Sequence, residues 1–283
     1  VYLAAFQHTF DLDTMVRDEP IAVPMGAGRP VKWITNYDNR FKGLMPTRQA
    51  LAESRNAVAV RITRQIGVER MLQTARDLGI HSPLQPYITT ALGASEVTLL
   101  ELAGVYRAMA SGILAEPHII DRVTDVAGGV LYEAPRTALE IGSTSLTLIQ
   151  EGLRGVVRLP EGTAHALAGR EFPIPVMGKT GTTSDFRDAL FIGSTYGPQG
   201  ITVAIRIGFD DNRELGDKET GGRAALPIFR EIMLRVYQQA LAGPVPEFPY
   251  EMERRIDDYL ARRAALATAG SAQGPRVASP GPE

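Results

Sequence analysis

The sequence predicts an α+β fold, an antiparallel sheet flanked by helices with a mostly helical subdomain beside it. Three observations carry that prediction. Apolar residues recur at helical spacing between Thr47 and Met109. Three short apolar runs lie close together between Pro175 and Phe209, separated by turn residues at Ser184-Asp185 and Tyr196–Gly200. A long amphipathic stretch follows, with Pro227 tolerable only in the first turn of a helix. Helices, then consecutive strands, then a helix indicate layers around an antiparallel sheet.

In chain order, Val1 to His8 reads as the end of a helix, with Tyr2, Leu3 and Phe6 sharing one face and no cap ahead of them. That opening leads us to expect a piece of a longer protein. Asp11 to Pro46 carries Pro20, Pro24, Pro30 and Pro46, so it should be a long loop with short strands at most. Thr47 to Ile66 should be one helix or two short ones, with Ser54-Arg55-Asn56 inside it, and Val68 to Leu78 another, stopped by Gly79. Ser95 to Met109 is a third, its apolar face made by Leu99, Leu102, Val105 and Met109. A hairpin over Ile119–Tyr132 should turn at Gly128-Gly129, and Ser143 should cap a helix reaching Val157. Strands are expected at Pro175–Thr183, Arg187–Thr195 and Ile201–Phe209, then a charged loop and a helix running to Leu241. Residues 1–242 form one expected domain. The remainder, 243–283, holds an amphipathic helix over Glu251–Leu266 and a Gly/Pro/Ser tail from Gly270 with too little to bury for order.

Composition narrows the function. With 283 residues, 44% hydrophobic and 22% charged, the chain can bury a sizeable core. A net charge of -2 gives no footprint for nucleic acid. There is no cysteine, and the four histidines lie far apart, so no metal site is expected. No apolar run is long enough to span a membrane.

The stretch that could carry chemistry is Val176 to Gly193. Gly178-Lys179-Thr180 matches the end of a phosphate-binding loop, but position 173, where the loop needs another glycine, is Pro173, and a strand rather than a helix follows. Read as a strand, it puts Lys179, Gly181 and Thr183 on one face and Thr180 and Thr182 on the other. A lysine, hydroxyls and a bare glycine along one strand suit a peptide ending in a carboxylate; an ordinary solvated strand with a surface lysine is the plainer alternative.

Taken together, Val1–Phe6, Ala50–Asn56, Ala91–Thr98 with Glu101-Leu-Ala103, Gly178–Thr183 with Arg187-Asp-Ala189, Thr220–Gly222 and Ala225–Phe229 resemble the transpeptidase domain of class A, bifunctional penicillin-binding proteins. The resemblance covers roughly residues 1–240. It implies a serine β-lactamase-like fold and peptidoglycan D,D-transpeptidation, acyl transfer from D-Ala-D-Ala stem peptides, inhibited by β-lactams. It implies no cofactor and an extracytoplasmic, periplasmic site on a protein anchored to the membrane upstream. By that resemblance Ser54 relays a proton, and Asn56 binds the substrate amide and holds a catalytic lysine. Lys179 supplies a cation, Thr180 and Thr182 bind the terminal carboxylate, the Thr182 N–H serves the oxyanion hole, and Gly181 lets the peptide lie against the strand. The family's Ser-x-x-Lys is absent, since no serine here has lysine three residues on; the nucleophile is expected upstream of Val1. Leu190 stands where tryptophan is common in the family, a change we read as packing. Asp185 and Asp188 are expected to cap turns. The alternatives are a non-catalytic peptidoglycan- or partner-binding fragment, and a D,D-carboxypeptidase or β-lactamase relative.

Overall fold

The structure, a computed structural model, describes residues 1–24 and 30–271. It forms two units, Val1–Glu247 and Phe248–Glu283.

The larger unit begins with α1 (Tyr2–Phe6). The expected one-sided burial is an understatement: Ala4 and Ala5 are as buried as Leu3 and Phe6. A helix apolar all round belongs inside a core, and Ser145 Oγ donates to the Phe6 carbonyl at its end. The Pro-rich loop holds four short strands, β1 (Met15–Asp18), β2 (Ile21–Val23), β3 (Lys32–Ile34) and β4 (Gly43–Pro46). They pair as two antiparallel ribbons, β1 with β4 and β2 with β3.

Thr47 to Ile66 is two helices, α2 (Thr47–Ala52) and α3 (Asn56–Ile66), separated at Glu53–Arg55. Next come α4 (Val68–Asp77) and α5 (Leu99–Ser111). The start of α5 corrects the expected one. Thr98 caps it in a capping box with Glu101, while Ser95 lies ahead of the helix and accepts from the Gln85 N–H. After β5 (Ile113–Leu114), the predicted hairpin appears as β6 (Arg122–Thr124) and β7 (Val130–Glu133), followed by β8 (Thr137–Ala138), which pairs with β5.

The central helix is α6 (Ser143–Arg158), which packs against α1, α2 and α5. Ser143 is its first helical residue rather than its cap; Gly142 takes that place with no side-chain bond. Inside α6, Glu151 is buried and paired with Arg48 at 3.0 Å, and Arg154 donates to the Val176 carbonyl. That last bond anchors the main sheet, whose strands β9 (Met177–Thr182), β10 (Asp188–Ser194) and β11 (Thr202–Gly208) run antiparallel in the order β11-β10-β9. A π turn at Gly221–Ala225 then leads into α7 (Leu226–Gln238), which stops short of the expected Leu241. Phe229 of α7 meets Phe191 of β10 edge-to-face at 4.7 Å, so α7 closes one side of the sheet.

The smaller unit contains α8 (Tyr250–Ser271), whose buried Met252, Ile256 and Tyr259 recur at helical spacing. Most of the tail expected to be disordered, 272–283, lies outside the described residues.

Candidate active site

A cleft of roughly 1190 Å³ opens between the α2–α3 corner and β9. Ser54 and Asn56 line it from the corner; Lys179, Thr180, Gly181 and Thr182 line it from the strand. The fold thus brings all six predicted residues to one cavity, from segments more than a hundred positions apart in sequence.

Ser54 reaches the cleft because both of its neighbours are held below it. Arg55 is buried, with Nε 3.1 Å from Asp18 and Nη1 donating to both oxygens of Asp38 at 2.9 Å. Glu53 approaches Arg55 at 3.4 Å and Lys42 at 2.7 Å. Asn36 Nδ2 fills another lone pair of Asp18, and Asn36 Oδ1 accepts from the Ala57 N–H at the start of α3. A buried cation needs this much pairing to offset its desolvation. With the Glu53 and Arg55 side chains largely buried in these pairs, Ser54 is exposed at φ 57°, a left-handed conformation uncommon for serine. Asn56 donates one amide proton to the Thr35 carbonyl at 3.1 Å, leaving its second proton and its oxygen for a ligand.

On the other wall β9 is the edge of its sheet, so its free side borders the cleft. The predicted alternation holds in the side-chain partners. Thr180 Oγ1 donates to Thr163 Oγ1 at 2.7 Å and Thr182 Oγ1 accepts from the Gly221 N–H at 3.2 Å. The Thr182 proton is therefore available to a carboxylate, whereas that of Thr180 is engaged by Thr163. Thr163 becomes a candidate donor that the sequence did not signal; it lies in a connecting loop, far from any motif. Gly221 is fixed by contact, because a Cβ there would overlap the carbonyl oxygens of Leu190 and Gly181. Gly181 faces Leu190 across the ladder, and a Cβ on it would sit 3.3 Å from the Leu190 Cβ.

Lys179 donates to the Thr180 carbonyl at 3.0 Å, and no carboxylate pairs with it among the described residues. Burial pushes its pKa down to about 8 from 10.5. A partly dehydrated ammonium with no partner anion is a receptor for one. The turn after β9 is tied down by Arg187, which donates to the Asn212 carbonyl, and by Asp188, 2.6 Å from Arg206. Two aromatic residues not predicted from sequence, Tyr37 and Phe186, also line the cleft. Among the described residues no group of three or more His, Cys, Asp or Glu is placed to hold a metal ion.

This architecture has known counterparts. Residues 1–234 match the family model for the penicillin-binding protein transpeptidase domain, and the chain belongs to that family. Among curated relatives, penicillin-binding protein 1A of Neisseria gonorrhoeae is 33% identical over 242 residues, covering 82% of this chain and 30% of that protein. Penicillin-binding protein 1A of Rickettsia typhi is 28% identical over 279 residues, 90% of this chain and 34% of that one. The chain thus spans about a third of the length of these relatives. Among solved structures, penicillin-binding protein 1A from Haemophilus influenzae superposes with a TM-score of 0.73 at 25% identity, covering 88% of this chain and 42% of that one. PonA1 of Mycobacterium tuberculosis, solved in complex with penicillin V, gives 0.69 at 21% identity, covering 88% of this chain and 69% of that one. The serine β-lactamase-like α+β fold expected from the sequence is the one found.

Proposed function

We propose that the chain supplies most of the D,D-transpeptidase cleft of a bifunctional peptidoglycan synthase. The cleft takes the D-Ala-D-Ala end of one stem peptide, and β-lactams occupy the same place. In the reaction a serine oxygen attacks the penultimate carbonyl, the C–N bond breaks, and D-alanine leaves with a proton. The amine of a second stem peptide then displaces the serine. That serine is not in this sequence, which holds no Ser-x-x-Lys. The residues present would bind and orient. Lys179 and the Thr182 hydroxyl receive the terminal carboxylate, with the Thr180–Thr163 pair beside them. Asn56 holds the peptide amide, Ser54 relays a proton, and the free edge of β9 takes the peptide as an added strand. Such a site would face the extracytoplasmic side of the inner membrane; no described helix is long and apolar enough to cross a membrane.

The observation that carries this reading is the convergence of Ser54-x-Asn56 and Lys179–Thr182 on one cleft in a chain of the transpeptidase family. Titrating the labelled chain with acetyl-L-lysyl-D-alanyl-D-alanine should shift amide signals at Ser54–Asn56 and Lys179–Thr182, and Lys179→Ala should weaken binding at least tenfold. Shifts confined to other surfaces would sink the proposal. The missing nucleophile favours a second reading, a fragment that binds stem peptides without turnover. The same titration combined with an absence of D-alanine release would support it.

A further inference from the structure

Thr163 touches three parts of the cleft at once. The last four carbonyls of a helix have no partner among the helix's own residues. At the end of α2, those of Gln49, Ala50 and Leu51 accept from the backbone of Glu53, Arg55 and Ser54, the corner that follows. The fourth, on Ala52, accepts instead from the Thr163 N–H at 3.0 Å, supplied by the loop after α6. Thr163 Oγ1 meets Thr180 Oγ1 of β9 at 2.7 Å. Its carbonyl oxygen would lie 3.1 Å from a Cβ placed on Gly222, in the π turn that precedes α7. The residue is half-buried and lines the cleft. Its mounting is firm on both sides. Gly162 seats against α6, where a Cβ would overlap the Val156 carbonyl oxygen. Ala164 is fully buried, and its N–H donates to that same carbonyl at 3.3 Å.

We propose that Thr163 is a positioning residue that ties the Thr180 hydroxyl to the end of α2, so that a carboxylate seated on β9 sets the position of Ser54. This rests on the transpeptidase reading of the same cleft. A hydroxyl has one proton to give, and in the structure Thr180 gives its proton to Thr163. A carboxylate beside Lys179 can only accept, so Thr180 turns its proton to that anion and Thr163 then donates to Thr180. A hydrogen bond to an ionised acceptor is shorter and stronger than a neutral one, and it polarises the bond behind it. Because Thr163 is pinned on both sides, tightening of that bond passes through its N–H to Ala52 rather than being taken up by the loop. Ala52 lies two residues before Ser54, and the Ser54 N–H is bonded to the neighbouring Leu51 carbonyl, so the corner follows. The proton-relaying hydroxyl is thereby aligned by the group that marks the end of the peptide. A ligand without a carboxylate leaves it unaligned.

The hydroxyl link can be cut without touching the backbone bond. Thr163→Val keeps the branched shape and the N–H but has no hydroxyl, and Thr163→Ser keeps the hydroxyl. Thr163→Ala is the second hydroxyl-free variant, should valine pack badly. Each labelled chain would be titrated with acetyl-D-alanine, which carries the carboxylate, and with acetyl-D-alaninamide, which does not, while amide chemical shifts are followed. In the unaltered protein the acid should shift Lys179–Thr182 and Ala52–Ser54 together, and the amide should bind at least about tenfold more weakly. Thr163→Val and Thr163→Ala should weaken the acid by no more than about tenfold, the worth of one neutral hydrogen bond, yet abolish its shift at Ala52–Ser54 at saturation. Thr163→Ser should restore that shift, which a merely structural role of the loop would not require. A corner response that survives without the hydroxyl, is missing from the unaltered protein, or stays lost in Thr163→Ser would overturn the tie while the cleft assignment stands. If the acid shifts nothing at Lys179–Thr182, or binds Lys179→Ala as well as the unaltered chain, the cleft assignment fails and the tie fails with it.

Discussion

Replacing Lys179 with methionine should stabilise the protein while destroying its affinity for a peptide carboxylate. Burial holds the folded pKa near 8 against 10.5 in the open chain. At about 1.36 kcal/mol per pKa unit, that difference sets a ceiling of about 3 kcal/mol on the cost of keeping the ammonium in the fold. Its partial exposure lowers the figure, so we expect about 1–2 kcal/mol of stabilisation. For a protein of this size, that raises Tm by about 2–8 °C. The pH dependence identifies the cause. Because the folded pKa lies below the unfolded one, the unfolded chain binds more protons between about pH 8 and 10.5, and the unaltered protein gains stability as pH rises through that window. Methionine does not titrate, so its advantage should be complete below pH 8 and vanish near 10.5. Thermal unfolding of both proteins at half-unit steps from pH 7 to 10.5 measures this, since titrations common to both cancel in the difference. A Lys179→Met protein less stable at pH 7, or a gap constant with pH, would refute the argument that the lysine is held at a cost.

Three further outcomes follow from the same geometry. Incubated with a β-lactam, the chain should show no covalent mass increase, because no serine here has a lysine three residues on; a stoichiometric adduct abolished by Ser54→Ala would contradict this. Gly221→Ala should cost more than about 2 kcal/mol in urea unfolding, since its Cβ overlaps backbone carbonyls that cannot move aside. Arg48→Ala should cost about 3–5 kcal/mol by taking one cation away from the buried Glu151 carboxylate, and Arg48→Met combined with Glu151→Leu should recover most of it; a double variant as unstable as Arg48→Ala would show that the charges, not their pairing, are needed.

Elements with strong periodicity were legible in the sequence. The sheet strands alternate or run apolar between clear turns, and the structure trims them by only one or two residues at each end. Ends depending on one hydrogen bond were less so. Ser95 and Ser143 are both good capping residues by type, yet Thr98 wins at α5 because Glu101 can reciprocate three residues on. The break between α2 and α3 is only half legible, because Ser54 and Asn56 interrupt a helix without specifying its geometry. Long-range ion pairs decide it, from Arg55 to Asp18 and Asp38, and they leave no local pattern. Thr163, Tyr37 and Phe186 escaped for the same reason. Each is tied to a partner distant in sequence, Thr180 for the first and one another for the second pair.

Those long-range pairings also explain how the cleft can be both costly and well defined. Ser54, Asp185 and Phe186, which line it, take left-handed backbone, and its lysine is dehydrated. Each feature lowers stability, and none would persist in a loosely held loop. Below the Ser54 corner the chain is pinned by Asp18, Asn36 and Arg55; behind β9 it is pinned by the Arg154 bond to Val176 and by the close seat of Gly221. The costs thus fall on Ser54, on Lys179 and on the turn after β9, and the compensating bonds largely on buried groups beneath and behind them. Glu53, Ser54 and Arg55 show the division most compactly: two buried charges hold a strained hydroxyl between them. If that division is real, mutations of the inward-facing partners should disturb the cleft more than their distance from it implies. Asp18→Asn should perturb the Ser54 and Asn56 amide signals even though Asp18 does not line the cavity. Unchanged signals there, with the fold intact, would mean that the corner keeps its shape without the ions beneath it.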